Sequence, residues 1–166
     1  MQSGVIPNLW FNKCAKEAVN FYLSVFSDGK ILSEDFYTDF GKEITGHSKG
    51  ELVAVEFEIM GTRFVAINAG PEFAFNPSIS FMIRCDNQEE IDYYWAKLSS
   101  SERDEQCGWI KDKYGISWQI VPKVLQEMLR GGNETQRKNV TESFMKMKKL
   151  DIEKLKEAFR RKSTVL

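Results

Sequence analysis

The chain has 166 residues, with 23 Lys and Arg against 24 Asp and Glu, 13% aromatics, three Cys, one His and a formal net charge of -1. One domain with a sizeable core is the default at this length, and a single His excludes a zinc site built from several imidazoles within one chain. Cys14, Cys85 and Cys107, spaced by 71 and 22 residues, form no CxxC unit; they read as buried small hydrophobes in a reducing compartment.

The opening MQSGVIPNLWF has no basic n-region, and nowhere do 18 apolar residues follow one another, so the expectation is a soluble cytoplasmic protein without a membrane partner. A strand is predicted at about Val5 to Phe11. A helix follows, with Ala15, Ala18, Val19, Tyr22 and Phe26 at three- and four-residue spacing, and Ser27-Asp28-Gly29 stops it. Ile31 to Tyr37 reads as a strand, and Thr38 to Gly50 as a polar loop that holds His47, to which a structural or solvent-exposed role is assigned. Val55 to Ile59 alternates apolar with acidic, so Glu56 and Glu58 read as the solvated face of a strand before they read as an acid/base pair. Met60-Gly61-Thr62 turns the chain into Arg63 to Asn68 as a hairpin.

After Gly70-Pro71 and Pro77 the order restarts. Ser78 to Cys85 is a strand, Asp86 with Glu89 looks like a capping box, and a helix over 87–99 carries Ile91, Tyr94, Trp95 and Leu98 on one face. Cys107 to Lys111, a turn at Asp112-Lys113-Tyr114-Gly115, and Ile116 to Val121 complete a second module. Cys107 has no base near it in sequence and is read as inert. Asn8-Leu9-Trp10-Phe11 falls on Ser80-Phe81-Met82-Ile83, and Asn20-Phe21-Tyr22-Leu23 on Asp92-Tyr93-Tyr94-Trp95, both with an offset of 72. The last segment differs: residues 1–122 hold 11 basic and 18 acidic side chains, whereas residues 123–166 hold 12 and 6. Apolar stripes at Val124, Leu125 and Met128, at Phe144 and Met147, and at Ile152, Leu155 and Phe159 after an Asp151 N-cap predict a basic helical tail docked on an acidic body. Its single aromatic within the last twenty residues argues against nucleic acid as a partner.

The runs IPNLWFNKCAKEAVNFYLSVF, INAGPEFAFNPSISFMIRCDNQEEIDYYWAKL and CGWIKDKYGISWQIVP resemble the PhnB-like branch of the glyoxalase, bleomycin-resistance and dioxygenase superfamily, also called the vicinal oxygen chelate superfamily. The resemblance implies an α+β fold of two βαβββ modules whose mixed sheets curl around a concave pocket, assembled as a homodimer. The organisation expected is a glyoxalase-like domain over 1–122, with modules at about 5–70 and 78–122, and a helical extension over 123–166 packed on the domain or on the partner. This branch often carries a 3-demethylubiquinone-9 3-methyltransferase label. The residues speak against that activity, since the first strand ends Trp10-Phe11-Asn12-Lys13 with no glycine-rich loop to hold a methyl donor.

Metal-dependent members of the superfamily hold one divalent ion with His and Glu side chains on four strands. The corresponding slots fall at Pro7 or Asn8, at Val65 or Asn68, at Ser80 and at Gln119, none of which suits zinc, iron or nickel. No cofactor is expected, therefore. The walls that remain, Asn8, Trp10, Asn68, Ser80, Trp109, Asp112 and Gln119, suit a small organic ligand stacked on aromatics and fixed by a few hydrogen bonds. At least half of the four Trp are expected to be core or dimer interface. The leading expectation is a metal-free small-molecule-binding protein; the alternative is an isomerase, lyase or dioxygenase of the same fold, with a weakly held divalent ion or none.

Overall fold

Pro7 has no N–H to give a ladder, but its carbonyl accepts from Val65 N at 3.0 Å, so pairing starts at Asn8 and leaves Val5 and Ile6 outside the strand predicted from Val5. This computed structural model describes residues 4–39, 42 and 46–161; parts of the expected Thr38 to Gly50 loop and the last five residues of the tail lie outside that set. The chain divides into two compact units, Met1–Ala74 and Phe75–Leu166.

In the first unit β1 (Asn8–Asn12), α1 (Ala15–Val25), β2 (Lys30–Phe36), β3 (Leu52–Ile59) and β4 (Thr62–Ala69) form a βαβββ module with sheet order β1-β4-β3-β2. β1 pairs with β4 in parallel, and the other pairs are antiparallel. The apolar stripe of α1 buries Ala15, Ala18, Val19, Tyr22 and Val25, and Tyr22 stacks on Phe57, with ring centroids 6.2 Å apart. Burial of such side chains, worth about 1.5–3 kcal/mol each, holds this helix to its sheet. Met60 and Gly61 have φ of 49° and 70°, the positive values that a two-residue hairpin between Ile59 and Thr62 requires. Glu56 and Glu58 form surface ion pairs with Arg63 and Lys30, as a solvated face should.

The second unit contains β5 (Ser80–Cys85), α2 (Gln88–Leu98), β6 (Trp109–Lys111) and β7 (Ser117–Pro122), with sheet order β5-β7-β6 and again a parallel outer pair. Only three strands form here among the described residues; where the first module has β2, this one has a 3-10 turn at Glu102–Asp104 and an isolated bridge between Gln106 and Trp109. β6 is shorter than the expected Cys107 to Lys111 because Cys107 and Gly108 have φ of 52° and 85°, incompatible with an extended strand. The cap of α2 is Asn87, which accepts from Glu90 N, and not Asp86. Glu90 accepts at 2.8 Å from the N–H of Asp86, the residue before the cap, so the reciprocal bond of the expected box is not formed.

The tail packs within this second unit as α3 (Lys123–Gly131), α4 (Glu134–Phe144) and α5 (Ile152–Arg160), with Asp151 capping α5 as expected. Val121, Leu125, Met128, Val140, Leu150, Leu155 and Ala158 make one buried cluster. Lys123, Lys149 and Lys148 pair with Asp86, Asp92 and the Glu102/Glu105 carboxylates, meeting the acidic surface predicted for them. Exposed pairs of this kind contribute about 0–1 kcal/mol each, so the apolar cluster dominates the docking. Gln88 adds a two-point clamp: its Nε2 donates to Leu150 O at 3.2 Å, and its Oε1 accepts from Ile152 N at 3.0 Å. No helix among the described residues is long and apolar enough to cross a membrane.

Candidate functional site: a cavity on the sheet of the second unit

Strand alternation divides the β5-β7-β6 sheet into two faces. Ile83, Cys85, Trp118, Ile120 and Ile110 are buried on the side covered by α2, while Met82, Ser117, Gln119, Val121 and Trp109 line a cavity of about 690 Å³ on the other. Two of the expected site residues, Trp109 and Gln119, line it, and a third, Ser80, bonds to Gln119. Gln119 is opposite Met82 and Trp109 in the ladders, and its Nε2 donates to Ser80 Oγ at 2.8 Å. That bond fixes the amide and leaves Oε1 without a protein donor among the described residues, yet no buried side-chain polar atom there lacks a partner, so this oxygen faces open space.

The tail supplies the facing wall through Leu125, Gln126, Leu129, Phe144 and Met145. Leu125 and Phe144 belong to the apolar stripes expected to pack, while Gln126, Leu129 and Met145 lie outside them. Arg103, Asp104 and Lys111 stand at the cavity as well; Lys111 Nζ bonds Asp104 Oδ1 at 3.0 Å and holds that carboxyl below the usual carboxylate range.

The other expected residues have different places. Asp112 is 2% exposed, and both its oxygens are engaged: Oδ1 accepts from Tyr114 N and Ile116 N, and Oδ2 from Trp118 Nε1. Its carboxylate builds the turn and has no face toward the cavity. Asn68, in the first unit, shares the helix-covered face with Phe64 and Ala66; its Oδ1 accepts from Ala15 N and its Nδ2 donates to Leu52 O. Asn8 and Trp10 stand on the opposite, more open face of that sheet. There Asn8 Nδ2 bonds Ile6 O, Trp10 Nε1 bonds Gly70 O, and Trp10 meets Phe73 edge-on. Of the four Trp, Trp118 is core. His47 stacks on Tyr37, 4.5 Å between centroids, and its Nδ1 is 2.7 Å from Glu51, a structural role.

Register corrects one slot. Since Trp10 pairs with Ile67 as Met82 pairs with Gln119, the first-module equivalent of Gln119 is Ile67, and neither Val65 nor Asn68. The donor set does not fit a divalent ion: the cavity offers amides, a hydroxyl, the single thiol of Cys107 and an ion-paired carboxylate, and the described residues hold no group of three or more His, Cys, Asp or Glu placed to share a metal.

Cys85, fully buried beneath α2, has its thiol pushed up to about 12 by burial, with the nearby Glu90 and Asp86 acting in the same direction. A thiol with so high a pKa stays protonated at neutral pH. At most two of the three cysteines should therefore react with a thiol reagent at pH 8 in the native protein, with Cys85 unmodified by peptide mass mapping. Rapid native labelling of Cys85 would contradict this burial.

The comparisons with known proteins agree with this fold. The family described as 3-demethylubiquinone-9 3-methyltransferase matches residues 3–121. Among solved structures, the PhnB protein from Bacillus cereus is 30% identical over 72% of this chain and 99% of its own, with a TM-score of 0.58. PA1353 from Pseudomonas aeruginosa (14% identity, 73% and 98% coverage, TM-score 0.52) and the fosfomycin resistance protein FosX from Listeria monocytogenes (16%, 78% and 98%, 0.50) share the fold alone. No curated protein matches. The matched segment stops at Val121, one residue short of the tail helices. A family match over most of the chain, carried by two modules with parallel outer strand pairs, places this protein in the 3-demethylubiquinone-9 3-methyltransferase family, the PhnB-like branch of the glyoxalase and bleomycin-resistance superfamily.

Proposed function

We propose that this protein binds a small organic ligand in the cavity of its second unit and does so without a catalytic metal. The observation that carries the reading is Gln119, held by Ser80, presenting an amide oxygen inside an otherwise largely apolar space. A volume of about 690 Å³ is in the range of small-molecule sites, and a few fixed polar groups among apolar walls are what such sites use for orientation. Trp109 supplies a flat apolar surface beside that amide, and Ser80 fixes it.

Methyl transfer from a bound nucleoside donor gains no support from the geometry. Such donors are held by a glycine-rich turn leaving a strand of a doubly wound parallel sheet; here β1 enters α1 through Lys13 and Cys14, and each sheet is mixed, with one parallel pair and the rest antiparallel. Three free cysteines suit a cytoplasmic protein. A homodimer completes the proposal, for which the exposed Leu32 and Phe36 on edge strand β2 offer apolar surface.

Thermal unfolding of the full chain against a library of metabolites and antibiotics tests the reading, because a ligand that binds only the folded state raises the midpoint. The expected result is at least one compound that stabilises the wild type but not Gln119→Leu, in protein that carries far less than one equivalent of metal when purified without chelators. Stoichiometric zinc, iron or manganese would overturn the metal-free part. A compound stabilising both proteins equally would overturn the site.

A further inference from the structure

We propose that the C-terminal helices are the selecting wall of this cavity, and that the ligand they select is a flat aromatic monoanion with one hydrogen-bond donor. The inference rests on the cavity being a ligand site and assigns its specificity. Leu125 and Leu129 on α3, with Phe144 and Met145 at the end of α4, line the space, and all lie beyond the segment that matches the family. The wall is built in. Cys107 N donates to Met147 O and Gly108 N to Lys148 O, each at 2.8 Å, beside the buried cluster of the tail and the Gln88 clamp. Gln126 Nε2 lies 3.6 Å from Met82 Sδ, linking α3 to the sheet across the cavity.

The chemistry of the ligand follows from what is left unmatched. Trp109 and Phe144 on sheet and tail favour a flat ring system over a branched aliphatic one. The Gln119 oxygen can only accept, so the ligand brings an N–H or O–H. Of the charged lining residues, Lys111 bonds Asp104 at 3.0 Å, and Arg103, exposed at the cavity and in no ion pair among the described residues, also acts on that carboxylate from a distance, so two cations face one anion. That excess of one positive charge, carried by the guanidinium free of a contact ion pair, calls for a single negative charge. A carboxylate and a sulfonate share that chemistry.

The test uses two fluorescent probes with one ring system and one N–H: 8-anilinonaphthalene-1-sulfonate, and N-phenyl-1-naphthylamine, which lacks the sulfonate. Titrated onto the full chain, the sulfonate should bind with one-to-one stoichiometry and about tenfold or more tighter than the neutral amine, as a charge-assisted bond implies. Arg103→Gln should bring the sulfonate down to the affinity of the amine and leave the amine unchanged. Met145→Trp, at a position exposed enough to accept the larger ring without unfolding, should weaken both probes about tenfold by narrowing the cavity from the tail side. Equal affinity of the two probes, more than one site per chain, or an Arg103→Gln variant that still discriminates would overturn the assigned charge. Unchanged affinities in Met145→Trp would overturn the tail as selecting wall. If neither probe binds while a library compound stabilises the wild type but not Gln119→Leu, this inference falls and the binding function stands; if no such compound exists either, both fall.

Discussion

Asp112→Ala should lower the unfolding free energy of the second unit by about 3–5 kcal/mol, as measured by denaturant midpoints followed by fluorescence and calorimetry. The carboxylate serves three donors: Tyr114 N at 2.9 Å, Ile116 N at 3.0 Å and Trp118 Nε1 at 2.8 Å. Tyr114 is half-buried and can recover a water, but Ile116 and Trp118 are 3% and 4% exposed, so their N–H groups would be left without an acceptor. Two orphaned buried donors at about 1–3 kcal/mol each dominate the loss. Asp112→Asn should cost about half as much, because the amide keeps one acceptor oxygen but turns N–H groups toward Trp118 Nε1. In a Trp118→Phe background that donor is gone, so the Asp112→Asn penalty should shrink further. A loss below about 1 kcal/mol for Asp112→Ala would show that water replaces the carboxylate and that the turn does not depend on it. The effect reaches the cavity, since this turn sets the register in which Trp109 meets Gln119 across β6 and β7.

Regular periodicity made the helices and most strands legible. The stripe of α1 and the alternation along β3 each match one buried face, and a 72-residue offset separates Asn8 from Ser80, which begin β1 and β5. What escaped the sequence was which partner a polar group finds. Asn68 is one residue removed from the face shared by Trp10 and Ile67, and so caps a helix where a wall residue was expected. Asp112 looked like a residue at a strand end available to ligand, whereas its oxygens satisfy the chain's own donors. Adjacent Asp86 and Asn87 are equally good caps by composition, and the choice depends on backbone geometry at a single residue. The wall made by the tail was hidden for a more general reason. A helical stripe states that some apolar surface is covered, without saying whether the cover is flush or leaves a cavity.

Gly108→Ala should cost about 2–4 kcal/mol and loosen probe binding together with stability. Two effects add. With φ at 85° any L side chain pays about 1–2 kcal/mol for the left-handed conformation. A Cβ would also stand 3.0 Å from Ile120 O, which is backbone and cannot swing aside, and 3.0 Å from Leu150 Cδ1 in the cluster beneath the tail. Overpacking of that kind costs about 1–3 kcal/mol. Gly61→Ala is the internal control: its φ is 70°, but nothing stands within 4 Å of a built Cβ, so only the conformational cost of about 1–2 kcal/mol should appear. The difference between the two variants isolates the clash. Relief of the clash can come only from Leu150 moving outward, because Gly108 O also accepts from Ile120 N at 2.8 Å and ties this point to β7. Leu150 lies two residues after Lys148, and the Met147 and Lys148 carbonyls receive the Cys107 and Gly108 N–H groups, so its displacement pulls on the chain that carries Met145. Gly108→Ala should therefore weaken both naphthyl probes, while Gly61→Ala in the first unit leaves them unchanged. Equal stability losses in the two variants, or unaltered probe affinity in Gly108→Ala, would show that the tail wall does not depend on this close approach.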